Sequence, residues 1–193
     1  MQRIGILGGT FNPFHIGHLA IAQKAQEQFG LDKVIFVPSH IPPHKKIINL
    51  APAQDRYKMA AWAIKDNPLF GISDVEIKRE GKSYTIDTLK YFRDILPKNT
   101  KLFFIVGEDT FPTLAGWKDI QEILKLVTFI VVNRPGYKKE RSPIKHLSVT
   151  MHGINISSSY LRRRIAQGKS IKYLVPESVF RYIEEHKLYK TII

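Results

Sequence analysis

The first eighteen residues constrain this chain more than any other stretch. Ile4, Ile6 and Leu7 form a short apolar strand pattern, which Gly8 and Gly9 are expected to break. Thr10, Asn12 and Pro13 are turn formers. From His18 to Phe29 apolar residues recur at helical spacing, at Leu19, Ala22, Ala25 and Phe29, and Gly30 suits the position just past a helix end. The stretch reads as strand, glycine turn and helix start. Glycines let backbone approach an anion closely, and a helix start offers unpaired N–H groups and a favourable dipole. His15 and His18 lie three apart at that start. If the turn is already helical, their rings share a side and both can donate to phosphate oxygens. The plainer alternative is a buried glycine turn with two surface histidines. The spacing is neither G-x-G-x-x-G nor G-x-x-x-x-G-K-[ST], so a dinucleotide fingerprint and a P-loop are both excluded.

The following residues extend the same architecture. Lys33 to Pro38 is an apolar run ending in proline, which makes strand, helix, strand: a βαβ unit with parallel strands and a right-handed crossover. The expected fold is α/β: a doubly wound, Rossmann-like open parallel sheet flanked by helices. Pro38, Pro42 and Pro43 forbid a helix or central strand in the next segment. It becomes a loop at a strand's carboxyl end, where open α/β sheets bind ligands. His40 and His44 receive no role. Pro52 to Lys65 reads as a helix with Tyr57, Ala60, Ala61, Ala63 and Ile64 inward and Arg56 and Lys58 solvated. Phe70 to Ile77 alternates loosely and reads as a strand. Ser83 or Thr85 can cap the next helix, with Asp87 in its first turn.

Leu102 to Val106 is the clearest buried strand. Asp109 follows it closely, placed either to accept ribose hydroxyls or to cap a helix. Trp117 offers a face for stacking a base or belongs to the core, and a helix is expected through Leu126. Thr128–Val132 and Leu147–Met151 read as strands around a basic loop, Lys138–Lys145. Ser157, Ser158 and Ser159 start a helix to Gln167, with Gly168 after it. Serine hydroxyls at a helix start suit phosphate, and Arg162 shares a face with Ser158. A last helix, Pro176 to His186, is expected to pack on the sheet.

Composition narrows the class of protein. The net charge is +13, with 30 Lys and Arg against 17 acids. This favours an anionic partner, or marks a lysine-rich solvated surface. The chain has no cysteine, so disulfides and thiolate metal sites are excluded. No apolar run reaches the ~18 residues of a membrane span, and no cleaved leader is expected. We expect a cytoplasmic protein without a membrane partner, residues 1–193 forming one domain; a homo-oligomer is left open.

The run Gly8-Gly9-Thr10-Phe11-Asn12-Pro13-Phe14-His15-Ile16-Gly17-His18 resembles the T/HxGH signature of the nucleotidyltransferase superfamily. Within it, the run resembles the start of bacterial nicotinate-nucleotide adenylyltransferases. Pro42-Pro43-His44-Lys45, the Ser83–Thr88 run, Gly107-Glu108-Asp109, Arg134-Pro135-Gly136-Tyr137 and Ile156-Ser157-Ser158 with Arg162 carry the same likeness. The resemblance implies that ATP and nicotinate mononucleotide give nicotinate adenine dinucleotide and pyrophosphate. It implies catalytic roles for His15, His18, Lys45 and Arg162. It puts ATP phosphates on Gly8, Gly9, Thr10, His15, His18, Ser157, Ser158 and Arg162. The mononucleotide falls to Lys45, Tyr84, Thr85, Asp87, Asp109, Trp117 and Arg134. Mg²⁺ would be held mainly by ATP and water, with no protein metal site. The family often carries an aromatic residue or His after Trp117, where this chain has Lys118. Other readings are a pantetheine-phosphate adenylyltransferase, another small-molecule nucleotidyltransferase, a basic nucleic-acid-binding protein, and a metal site on His15 and His18 that lacks an evident third ligand.

Overall fold

The computed structural model describes residues 1–43, 48–133, 144–151, 153 and 156–190. Lys45 and Arg134, and with them His44, Pro135–Tyr137 and most of the basic loop, lie outside the described residues.

Strands β1 (Arg3–Gly9), β2 (Lys33–Pro38), β3 (Phe70–Ile72), β4 (Lys101–Gly107), β5 (Thr128–Asn133) and β6 (His146–Thr150) form a six-stranded sheet ordered β3-β2-β1-β4-β5-β6. Every neighbouring pair is parallel. This is the expected doubly wound sheet. The chain winds outward from β1 through β2 to β3, then returns to β1's other side with β4. The order therefore reverses between β1 and β4, and a crevice opens at the carboxyl ends of those two strands.

Side-chain alternation divides the core between the two sheet faces. In β4, Leu102, Phe104 and Val106 join one buried cluster, while Phe103 and Ile105 join the other. Helices α1 (Ile16–Phe29), α2 (Ala53–Ile64), α6 (Ser158–Ala166) and α7 (Glu177–Glu185) cover the Phe103 side. Helices α4 (Thr85–Ile95) and α5 (Ile120–Leu126), with a 3₁₀ turn at Phe111–Gly116, cover the Phe104 side. Burial on both faces explains why these strands read as continuous apolar runs. No described helix is long and apolar enough to cross a membrane.

Several expectations need correction. Helix α1 begins at Ile16, with His15 at its N-cap. Gly8 and Gly9 do not break β1, which runs through Gly9. Neither has a positive φ; the need for glycine at position 9 is spatial. A Cβ on Gly9 would lie 2.7 Å from the Phe11 ring, itself buried against Phe14 and Phe36. The strand expected over Phe70 to Ile77 ends at Ile72, and Val75–Arg79 is a short helix, α3. The alternation slips phase between Ile72 and Val75, so a continuous strand would put the two apolar pairs on opposite faces. Helix α7 has α2 as its main partner rather than the sheet: Tyr182 donates to Asp55 at 2.8 Å and meets the Trp62 ring edge-on at 5.2 Å.

Replacing Gly9 with Ala should displace the Phe11 ring and lower stability by about 1–3 kcal/mol. Urea unfolding measures the loss, and an unchanged midpoint would show that the ring can move freely.

Candidate active site

The turn from Thr10 to His15 sits at the carboxyl end of β1, and protein donors claim its carbonyls. Arg56 Nη1 donates to the Thr10 carbonyl at 2.8 Å. Arg162 Nη1 donates to that of Asn12 at 2.8 Å, and Ser158 Oγ to that of Pro13 at 2.9 Å. The Asn12 side chain, 1% exposed, is fixed at both ends. Its Nδ2 donates to the Asn49 carbonyl, and its Oδ1 accepts from the Ala51 N–H and, at 2.7 Å, from the Tyr189 hydroxyl. Burial raises the Tyr189 phenol well above its ordinary pKa, with Arg56 and Arg162 pulling the other way. Tyr189 is therefore a hydrogen-bond donor at neutral pH.

His15 and His18 come together as expected. Their rings stack with centroids 3.7 Å apart at 23°. The backbone N–H of His15 donates to His18 Nδ1 at 3.1 Å. Neutral His18 thus accepts through Nδ1 and carries its hydrogen on Nε2. Phe11 and Phe14 pack on the His18 ring and fix its plane. His15 is 1% exposed, so His18 is the more accessible of the pair.

At the start of α6, Ser157 caps the helix by accepting from the Tyr160 N–H at 3.2 Å. Ser158 and Arg162 do share a face, and both reach the turn. Burial lowers the Arg162 pKa from its ordinary value; the guanidinium stays charged.

A second recess lies beside the carboxyl end of β4. It is a pocket of about 90 Å³ whose lining includes Pro43, Tyr84, Thr85, Trp117 and Lys118. Drug-sized ligands fill about 300–1,000 Å³, so this space suits a single ring. Trp117 is half-buried and meets Phe104 at 85°, making it both core and pocket wall. Lys118 Nζ sits 4.7 Å over the Tyr84 ring and 3.9 Å from the Asp87 carboxylate. Neither Ser83 nor Thr85 caps α4, correcting that expectation: Tyr84 stands at the N-cap without a side-chain bond. Ser83 Oγ instead accepts from the His40 N–H at 2.9 Å, joining the loop after β2 to the start of α4. Beneath it, the Glu76 carboxyl is buried and its pKa is pushed up by that burial; it accepts from Thr88 at 2.7 Å. Asp109 is exposed at the end of β4 and folds back over Gly107. Thr110, not Asp109, stands at the N-cap of the 3₁₀ turn.

Arg56 is the largest departure from the sequence reading. Expected in solvent, it is 1% exposed. It donates to the carbonyls of Ala51, Thr10, Ser39 and His40 at 2.6–2.9 Å. Burial lowers its pKa from the ordinary value. The signal was present: Arg56 lies three and four residues before Met59 and Ala60, on the buried stripe of α2. Tyr189 gave no local signal, since its partner is 177 residues away.

A reversed strand order with a histidine pair at the switch point and a ring-sized pocket beside it defines a Rossmann-like nucleotide-handling protein. Residues 6–164 match the family model described as cytidylyltransferase-like. A protein of Thermoanaerobacter sp. (strain X514) named "Probable nicotinate-nucleotide adenylyltransferase" is 44% identical, over 97% of this chain and 94% of its own. One of the same name from Thermus thermophilus is 42% identical, over 98% and 100%. The nicotinic acid mononucleotide adenylyltransferase of Plasmodium falciparum, solved in complexes with APC and with NaAD, superposes with TM-score 0.80. It covers 98% of each chain at 21% identity, which speaks for the fold. The chain belongs to the cytidylyltransferase-like family and, within it, to the nicotinate-nucleotide adenylyltransferases.

Replacing Arg56 with Met should leave buried carbonyls without donors, at roughly 1–3 kcal/mol for each one that water cannot reach. Arg163 is exposed, and its change to Met should stay within about 0.5 kcal/mol. Equal unfolding midpoints for the two variants would contradict the bracing role of Arg56.

Proposed function

We propose that this chain is a cytoplasmic adenylyltransferase of NAD biosynthesis, residues 1–193 acting as one nucleotidyltransferase domain. It joins ATP and nicotinate mononucleotide to give nicotinate adenine dinucleotide and pyrophosphate. The observation that carries this reading is the pairing of the stacked His15–His18 site with the Trp117 pocket. Both lie at the carboxyl edge of one parallel sheet.

In this reaction a phosphate oxygen of the mononucleotide attacks the α-phosphorus of ATP. The bond from that phosphorus to the bridging oxygen breaks, and pyrophosphate leaves. The attacking oxygen is already anionic, so no protein nucleophile is required. The protein aligns the groups and stabilises charge on the transferring phosphoryl group. His18 donates through Nε2–H, and His15 stacks behind it and lends a second imidazole. The backbone at Gly8, Gly9 and Thr10 lies along the phosphates. Ser157 and Ser158 shape the start of α6. Arg162 holds the turn with one nitrogen and has further N–H groups for phosphate. Lys45 and Arg134 complete the charge in this proposal. Trp117 stacks on the pyridine ring. Tyr84, Thr85 and Asp87 frame that ring, and Asp109 accepts from a ribose hydroxyl.

Magnesium neutralises the ATP phosphates when bound. Mg²⁺ in such sites takes phosphate oxygens, water and one or two carboxylates. Asp109, exposed at the strand end, has the oxygen chemistry for this. Most of the ion's ligands come from nucleotide oxygens and water.

Pyrophosphate release from Mg-ATP, with nicotinate mononucleotide, its amide form or phosphopantetheine supplied separately, tests the reading. The acid form should turn over best; turnover of phosphopantetheine alone would overturn the pyridine assignment. Replacing His18 with Ala should lower kcat about a hundredfold or more, and an unchanged kcat removes His18 from the chemistry. Replacing Trp117 with Ala should weaken mononucleotide binding and spare ATP. Equal losses for both would make Trp117 purely structural.

A further inference from the structure

We propose that the Lys118 side chain is a specificity-determining residue, selecting a ring that bears a carboxylate over the same ring bearing a carboxamide. The inference rests on the adenylyltransferase reading above and goes beyond it, because nothing in that reading says which group recognises the ring substituent.

The ring-sized pocket has apolar walls in Trp117, Pro43 and Ile123. Of its polar lining, the Ser83 hydroxyl already bonds to the His40 N–H. Lys118 is the one formally charged residue of the lining among the described residues. Its ammonium is held in place without being used up. The Tyr84 ring lies 4.7 Å below it, a distance at which the ring face attracts a cation. The Asp87 carboxylate stands 3.9 Å away, close enough to orient the charge and too far for a hydrogen bond. An ammonium has three donors, and the Lys118 side chain remains 48% exposed. Its donors can therefore exchange water for a ligand oxygen.

A pyridine stacked on Trp117 would carry its substituent toward this ammonium. A carboxylate there forms a charge-assisted hydrogen bond, roughly twice as strong as a neutral one. A carboxamide oxygen accepts the same ammonium hydrogen but carries no opposite charge, so it lacks the ion-pair attraction. Lys118 thus distinguishes the two rings by charge, not by shape.

The test measures kcat/KM for nicotinate mononucleotide and for its amide form, with the unaltered protein, Lys118→Gln and Lys118→Arg. Lys118→Gln should lower the value for the acid about tenfold, change that for the amide less than about threefold, and so collapse the preference. Lys118→Arg should restore most of it. Binding of the acid, followed by tryptophan fluorescence, should weaken with added salt more than binding of the amide does in the unaltered protein, and that difference should largely vanish in Lys118→Gln. An unchanged preference, or equal losses for acid and amide, overturns the role of Lys118 while leaving the adenylyltransferase reading intact. Failure of the unaltered protein to use either mononucleotide overturns that reading and this inference together.

Discussion

One buried guanidinium organises the edge of the sheet that carries the histidine pair. Arg56 reaches from α2 to the carbonyls that follow β1 and β2, and to its own helix approach at Ala51. A cation in the interior is costly unless its donors are satisfied. Here four carbonyls satisfy it and no carboxylate does so among the described residues. The two strand ends are thereby tied to one rigid group. The β1 end carries the turn leading to His15 and His18, while the β2 end leads to Ser39, His40 and the pocket rim at Pro43. Arg56 touches neither the histidine rings nor the pocket, yet the spacing between them passes through it.

The sheet supplies the complementary constraint. Its inner strands are buried on both faces, so polar groups that serve a ligand are confined to the strand ends and the loops beyond them. The reversal of strand order between β1 and β4 separates those loops and leaves a crevice between them. Glycine stands at or next to the ends of both strands. Gly8 is exposed there, and Gly107 lies under the folded-back Asp109 carboxylate. The His15–His18 stack and the Trp117 pocket are two outcomes of one topology.

Most of this fold was legible in the sequence, because its signals were local. The β2 run, the end of α1 at Gly30 and the three serines that start α6 are each written within a few residues. The failures were also physical. Gly8 and Gly9 read as breakers because glycine usually frees the backbone, whereas Gly9 makes room for the Phe11 ring. Arg56 read as solvated because charge usually wins over position; its place on the buried stripe of α2 was the better guide. Val75 and Ile77 seemed to continue β3 because short apolar pairs do not distinguish strand from helix. The site was legible as a set of residue types around histidines, serines and Trp117. The bracing of the turn was not, because Asn12, Arg56, Arg162 and Tyr189 meet only after the chain has folded.

The bond from Tyr189 to Asn12 has a temporal side. The turn that presents the histidines leaves the ribosome well before its phenolic donor, which lies 177 residues later. At synthesis rates of about 5–20 residues per second, the two are made roughly 9 to 35 seconds apart. Ser158 and Arg162, which hold the same turn, also arrive late. A nascent chain can pair β1 with β2 early and brace the turn from Arg56, Asn49 and Ala51, but the bonds from Ser158, Arg162 and Tyr189 wait until those residues are made. Synthesis through Tyr189 is thus built into the assembly of the turn, and a chain interrupted before α6 has the signature residues without the bonds from Ser158, Arg162 and Tyr189.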